Sequence, residues 1–124
     1  MPIKYKTVEK PLPGKSEKKW YASANTSGEK TLEGLTTDIE KISTVSGADI
    51  RAVLYALVDV MTTSLADGQI IRLGELGSMR VNISSEGKDK AEEVTAAAIK
   101  GAKIIFTPST KIKTMLNNLK YEKM

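Results

Sequence analysis

Lys4, Lys6, Lys10, Lys15, Lys18 and Lys19 fall within the first 19 residues, and Lys30 closes the same stretch. Ammonium groups at that density suit a surface that faces a polyanion. Residues 1–30 hold seven of the 19 basic side chains and three of the 15 acidic ones, so the rest of the 124-residue chain carries twelve of each sign. The same residues also read as a lysine-rich strand and loop facing water, because Lys is rarely buried. The chain has neither Cys nor His. That removes a disulfide framework, a thiol nucleophile, a thiolate or imidazole metal site and a histidine general base. Asp38, Glu40, Asp49 and Asp59 fall on helical segments, where acids usually form a solvated face, and no nucleophile–base pair accompanies them. Gly74 and Gly77 are not followed by a helical pattern and so make no dinucleotide-binding turn. Enzymatic chemistry is not expected, and no cofactor, metal or small-molecule substrate is implied.

The elements that carry these lysines can be read from periodicity. Ile3, Tyr5 and Thr7 alternate with Lys4, Lys6 and Val8 as in a half-exposed strand, which Pro11-Leu12-Pro13-Gly14 must break. Trp20 to Asn25 reads as a second strand, with Trp20 covering the core or else offering a stacking platform for a base. Thr31 can cap a helix whose apolar face is Leu32, Leu35, Ile39 and Ile42. Ser46 caps the clearest helix, which Asp67-Gly68 ends. Its Ile50, Val53, Leu54, Leu57, Val58, Val60, Met61 and Leu65 form a stripe roughly 160° wide, enough to pack on two sides. Gln69–Leu73 and Ser78–Ile83 read as strands joined by a tight turn at 74–77, and Ser84–Lys90 as a loop. Residues 92–100 are ambiguous between helix and strand; Lys103–Phe106 is a strand. Pro108 is expected at the first position of a helix bearing Ile112, Met115, Leu116 and Leu119. Residues 119–123 alternate again and are expected to form a short strand beside the first one. One domain is expected over 1–124, with an apolar content of 40% sufficient for a modest core. No apolar run spans a membrane and the start MPIKYK lacks a signal stretch, so a soluble, cytoplasmic protein is expected.

Helix, helix, β-hairpin, long insertion, a strand ending in Phe-x-Pro and a short helix: in this order the chain resembles the HU/IHF family of bacterial histone-like, DNA-bending proteins. Leu35 through Val81 can be laid on an HU chain without a gap. Leu73-Gly74-Glu75-Leu76-Gly77-Ser78-Met79 has the spacing of the family's L-x-G-F-G-x-F. Phe106-Thr107-Pro108-Ser109-Thr110-Lys111-Ile112-Lys113 matches F-K-P-G-K-x-L-K. The basic residues before Leu35 have no counterpart in ordinary HU and resemble the longer HU-related proteins of Bacteroides-type bacteria. The resemblance implies an α+β, IHF-like fold: two helices, a hairpin sheet with a protruding arm, a short C-terminal helix and extra N-terminal strands. The segments are then 1–30 (basic extension), 31–81 (helices and hairpin), 82–105 (arm) and 106–124 (C-terminal helix and tail). It further implies an intertwined homodimer, which fits the wide apolar stripe, and a nucleoid-associated, architectural DNA-condensing role on double-stranded DNA.

The chain departs from the family where DNA is gripped. Between 82 and 105, Lys88, Lys90, Lys100 and Lys103 are balanced by Glu86, Asp89, Glu92 and Glu93. Asn82 and Ser84 stand where the family has arginines, and the arm has no proline to wedge between base steps. Val94 or Ile99 could replace that wedge, although ordinary packing is the plainer role for both. Thr107 and Thr110 replace lysines, Lys111 lies adjacent and Lys113 is kept. The candidate DNA contacts are therefore Lys4, Lys6, Lys10, Lys18 and Lys19, with Arg72 and Arg80 on the hairpin, Lys88, Lys90, Lys100 and Lys103 on the arm, and Lys111 and Lys113 near its base. The expected function is non-specific duplex binding through lysine–phosphate contacts. The alternative is a dimeric scaffold on the HU fold that has lost strong DNA binding.

Overall fold

The computed structural model describes residues 2–124. Two helices form where capping and periodicity demand them. Helix α1 (Leu32–Ile42) starts at Thr31, whose hydroxyl accepts from the Gly34 N–H at 3.2 Å. Helix α2 (Gly47–Ala66) starts at Ser46, which accepts from the Asp49 N–H at 3.3 Å. Each bond satisfies one of the amide donors a helix leaves free at its start. The Glu40 carboxylate accepts from the Gly47 N–H at 3.0 Å and so ties the end of α1 to the beginning of α2. Gly47 is buried there, and a Cβ on it would come within 2.7 Å of that carboxylate. Thr36, a poor helix former, is fully buried and donates its hydroxyl to the Leu32 carbonyl at 2.8 Å, so burial leaves no polar group unpaired.

Two three-stranded sheets complete the fold. In the first, β1 (Ile3–Pro11) pairs antiparallel with β2 (Lys18–Asn25) across a turn in which the Leu12 N–H donates to the Glu17 carbonyl at 2.9 Å. The second sheet follows α2: β3 (Ile71–Arg72), β4 (Gly77–Ser85) and β5 (Ile99–Pro108), all antiparallel. Helix α3 (Thr110–Asn117) leads to the last strand, β6 (Tyr121–Lys123), which returns to lie parallel to β1. The expected terminal strand is therefore present. It is held by bonds from the Ile3 N–H to the Lys120 carbonyl (2.8 Å) and from the Met124 N–H to the Tyr5 carbonyl (3.0 Å).

Several boundaries differ from the sequence reading, each for a local reason. The strand expected at Gln69–Leu73 shrinks to two residues. The Gln69 N–H turns back to the Ser64 carbonyl at the end of α2, and the Leu73 N–H closes the turn on the Gly77 carbonyl at 2.7 Å. Ser84 and Ser85 belong to β4 rather than to a loop, since they pair with Gly101 and Ile99 across a bulge that leaves Lys100 unpaired. The ambiguous segment resolves into single 3₁₀ turns at Ala91–Glu93 and Ala96–Ala98, then strand. Pro108 ends β5 on the sheet edge, opposite Gly77, where a missing N–H is tolerated. The helix starts after it because Ser109 is drawn to the hairpin turn, its hydroxyl donating to the Glu75 carbonyl.

Burial within one chain is sparse. Among the described residues the only buried apolar side chains are Ile50 and Ala98. The stripe on α2 leaves Val53, Leu57, Val58 and Val60 exposed, and the hairpin leaves Val81, Ile83, Ile104 and Phe106 exposed. The accessible surface is 10314 Å² for 13.5 kDa. A compact monomer of this mass exposes about 6,500 Å². The remainder, roughly 3,800 Å² by that scaling, is surface a self-contained domain would have buried.

Two outcomes follow from these contacts. Removing residues 119–124 eliminates β6 and should lower the melting temperature by roughly 5 °C or more in calorimetry; an unchanged value would show that β6 stabilises nothing. Gly77 has φ +138°, and a Cβ there would lie 2.3 Å from the Thr107 carbonyl oxygen, a backbone atom. Gly77→Ala should therefore cost about 1–3 kcal/mol in denaturant unfolding, and a variant as stable as the parent would mean that the hairpin base relaxes freely.

Candidate nucleic-acid interface

Strand alternation sorts the basic side chains onto faces. Lys4, Lys6, Val8 and Lys10 share one face of β1, and the register places Asn25, Ser23, Tyr21 and Lys19 of β2 directly opposite them. Lys10 thus faces Lys19 across the strands, an arrangement that costs stability unless an anion lies between or above the pair. Glu122, opposite Lys4, is the one acid that β6 brings to this face. The ion pairs among the described residues are Lys30–Asp38, Lys88–Glu86 and Lys111–Glu75, so none of Lys4, Lys6, Lys10 and Lys19 is neutralised. In the first of these the Lys30 ammonium donates to Asp38 and holds its carboxyl below the usual carboxylate range. Lys18 does not join the lysine face. It pairs opposite Pro11 on the other side, which also carries Ile3, Tyr5, Trp20 and Tyr121. Trp20, expected to cover the core, is 67% exposed; no layer of its own chain lies over it.

The hairpin sheet divides in the same way. One face carries Ile71, Met79, Val81, Ile83, Phe106, Ile104 and Ala102; the other carries Arg72, Ser78, Arg80, Asn82, Ser84, Lys103 and Thr107, with Ile105 among them opposite Arg80. On this polar face Arg72 is opposite Ser78 and diagonal to Arg80, while Lys103 is opposite Asn82 and diagonal to Arg80. The three cations therefore form a row across β3, β4 and β5. At the foot of the hairpin, Arg72, Ser78, Thr107, Thr110 and Lys113 line an open cleft of about 350 Å³. Periodicity alone flags none of these hydroxyls, because their shared face depends on the register between strands.

The remaining candidates lie apart from both groups. Lys111 pairs with Glu75 at 3.3 Å and Lys88 with Glu86 at 3.4 Å. Both are exposed pairs worth little in stability and easily exchanged. Lys90 precedes the first 3₁₀ turn and Lys100 occupies the bulge. Around them the outer end of the arm, residues 86–98, holds Glu86, Asp89, Glu92 and Glu93 against Lys88 and Lys90. The arm is thus basic at its foot and acidic at its tip. Val94 and Ile99, for which packing was the plainer role, are 51% and 43% exposed. Ala98 is the side chain that packs there, held by the Glu86 N–H to Ala98 carbonyl bond at 2.8 Å. No helix of the described residues is long and apolar enough to cross a membrane.

Comparison with known proteins places this arrangement. Among solved structures the fold is similar to that of a provisionally assigned bacterial DNA-binding protein from Bacteroides vulgatus ATCC 8482, with a TM-score of 0.68 and 12% identity. The match covers 98% of this chain and 48% of the other, so this chain spans about half the length of that protein. At that identity the likeness is one of fold. No curated protein matches the sequence. The model of the HU-HIG family, described as an HU domain fused to wHTH, Ig, or glycine-rich motif, matches residues 1–123. With the match running almost from end to end, the chain belongs to the HU-HIG family.

Proposed function

We propose that this chain is a non-enzymatic, HU-like architectural protein that binds duplex DNA as a homodimer, with little sequence preference, in the nucleoid. The observation that carries the reading is the unneutralised lysine face of β1 and β2, with Lys10 set directly against Lys19. Four ammonium groups with no paired acid repel one another on that face, and a polyanion meeting them would relieve the repulsion. Phosphates of a duplex supply that charge, and release of their counterions drives binding. Phosphate contacts fix position but carry no base information, which accounts for the low specificity. Arg72, Arg80, Lys103 and Lys113 form the second contact, at the foot of the hairpin. The proline-free arm and its acidic tip supply no cationic clamp around the groove, so this protein bends DNA less than an arm that wedges base steps apart. Membership of an HU-domain family and the DNA-binding neighbour support the partner.

The dimer rests on surface area. An obligate interface covers about 2,000–5,000 Å² in total, and the exposed faces of α2 and the hairpin are apolar enough to form one. The second reading, a dimeric scaffold that has lost strong DNA binding, is favoured by the arm, which is neutral overall, proline-free and acidic at its tip.

Fluorescence anisotropy of a labelled ~30 bp duplex, titrated at several salt concentrations, tests the DNA reading, since each neutralised phosphate contributes a slope of about −0.9. Replacing Lys4, Lys6, Lys10 and Lys19 by Ala should flatten that slope markedly, whereas Lys18→Ala should change it by less than one contact. No binding at low salt by a folded dimer would transfer the chain to the scaffold reading. Sedimentation equilibrium at low micromolar concentration should give at least twice the 13.5 kDa chain mass; a folded monomer would refute the dimer.

A further inference from the structure

Strand β2 is the outer strand of the order β2-β1-β6 and extends over eight residues. Its inner edge pairs with β1 from Lys18 to Asn25 without a bulge. Among the described residues no other hydrogen bond reaches it, so the amides and carbonyls of its outer edge have no protein partner. Edge strands are normally blunted by proline, bulges, shortness or charges along their length. In β2 the only such device is Lys18-Lys19 at one end; Trp20-Tyr21-Ala22-Ser23-Ala24-Asn25 carries no charge, proline or glycine. Trp20 and Tyr21 are both exposed.

We infer that β2 pairs edge to edge with β2 of a second copy of this chain, antiparallel about Ala22, and links dimers into larger assemblies. The placement of charge selects that geometry. Antiparallel pairing centred on Ala22 sets Lys19 opposite Asn25, Trp20 opposite Ala24 and Tyr21 opposite Ser23, with the two lysine pairs at opposite ends. Parallel pairing in register would stack Lys18 and Lys19 on their own copies, which like charges oppose. A two-fold contact of this kind is self-complementary and consumes the edge once. The symmetry also keeps each face continuous across the joint, so the lysine faces of the two copies merge on one six-stranded sheet. Surface area leaves room for it: the roughly 3,800 Å² per chain in excess of a compact monomer is more than the ~1,000–2,500 Å² per chain that an obligate dimer covers. The inference goes beyond the DNA reading and does not depend on it, while the assemblies larger than a dimer rest on the homodimer proposed above.

The absence of cysteine makes the test clean. In the full-length chain, Ala22→Cys should form an intermolecular disulfide in most molecules under mild oxidation, because residues directly opposite on antiparallel strands are about 4.5–5.5 Å apart at Cα. Ala24→Cys, on the same face of the same strand, should cross-link at least several-fold less, since its copies would be offset by four residues, about 14 Å. In sedimentation the parent should show species heavier than a dimer, and Ala22→Glu, which opposes two carboxylates at the symmetry point, should remove them. Equal yields at 22 and 24, no cross-link at either, or heavy species persisting in Ala22→Glu would each overturn the inference. Neither readout involves DNA, so failure here leaves the duplex titration standing, and the reverse.

Discussion

Water is a poor neighbour for aliphatic side chains, and this chain is too open to hide them by itself. Ile50, Ala98 and Thr36 are the buried side chains of note, while the apolar faces of α2 and of the hairpin sheet stand exposed. Every other feature of the molecule depends on how that surface is covered. The helices are well capped, and the Glu40–Gly47 bond joins them. Capping is nevertheless worth only about 1 kcal/mol per helix end, far less than the cost of leaving such faces wet. In the proposed dimer a second copy meets the same faces, so that folding and association become one equilibrium.

Covering the apolar faces also decides what remains outside. Because successive side chains on a strand point to opposite sides, burying Met79, Val81, Ile104 and Phe106 obliges Arg72, Arg80 and Lys103 to face out. The basic row is thus a by-product of the same alternation that makes the apolar face. The N-terminal sheet repeats the arrangement, with Lys4, Lys6, Lys10 and Lys19 on one side and most of the aromatic rings on the other. Charge then grades along the arm from basic foot to acidic tip. A duplex would be held near the body of the protein and repelled from the ends of the arms. In the proposed complex, that pattern would suit coating or bridging DNA better than wrapping it.

Much of this was legible from residue order. Thr31 and Ser46 announce their helices by side-chain chemistry that acts locally, and the stripe on α2 is periodic over the whole helix. The alternation at 119–123 likewise marked β6. Where reading failed, a distant partner made the difference. Pro108 looks like a helix start until Ser109 is seen bonding to the Glu75 carbonyl. Trp20 looks like a core residue because its type is usually covered, yet its own chain provides no layer over it. The candidate site was legible as a list of cations but not as two faces. Nothing in the local sequence says that Lys10 meets Lys19 while Lys18 turns away; that follows from the register set by the turn at 12–17.

The parallel pairing of β1 with β6 has a consequence for the order of events during synthesis. Ile3 is synthesised 118 residues before its neighbour Tyr121. Until then the N-terminal sheet is a two-stranded hairpin, which is marginally stable in water, with both its edges open. The loop that β6 closes includes nearly the whole chain. Its closure entropy is only modestly larger than that of a loop half as long, but contacts so distant in sequence form slowly. The lysine face is therefore drawn from β1 and β2 alone at first, and the sheet that carries it is completed only when β6 docks and sets Glu122 beside Lys4.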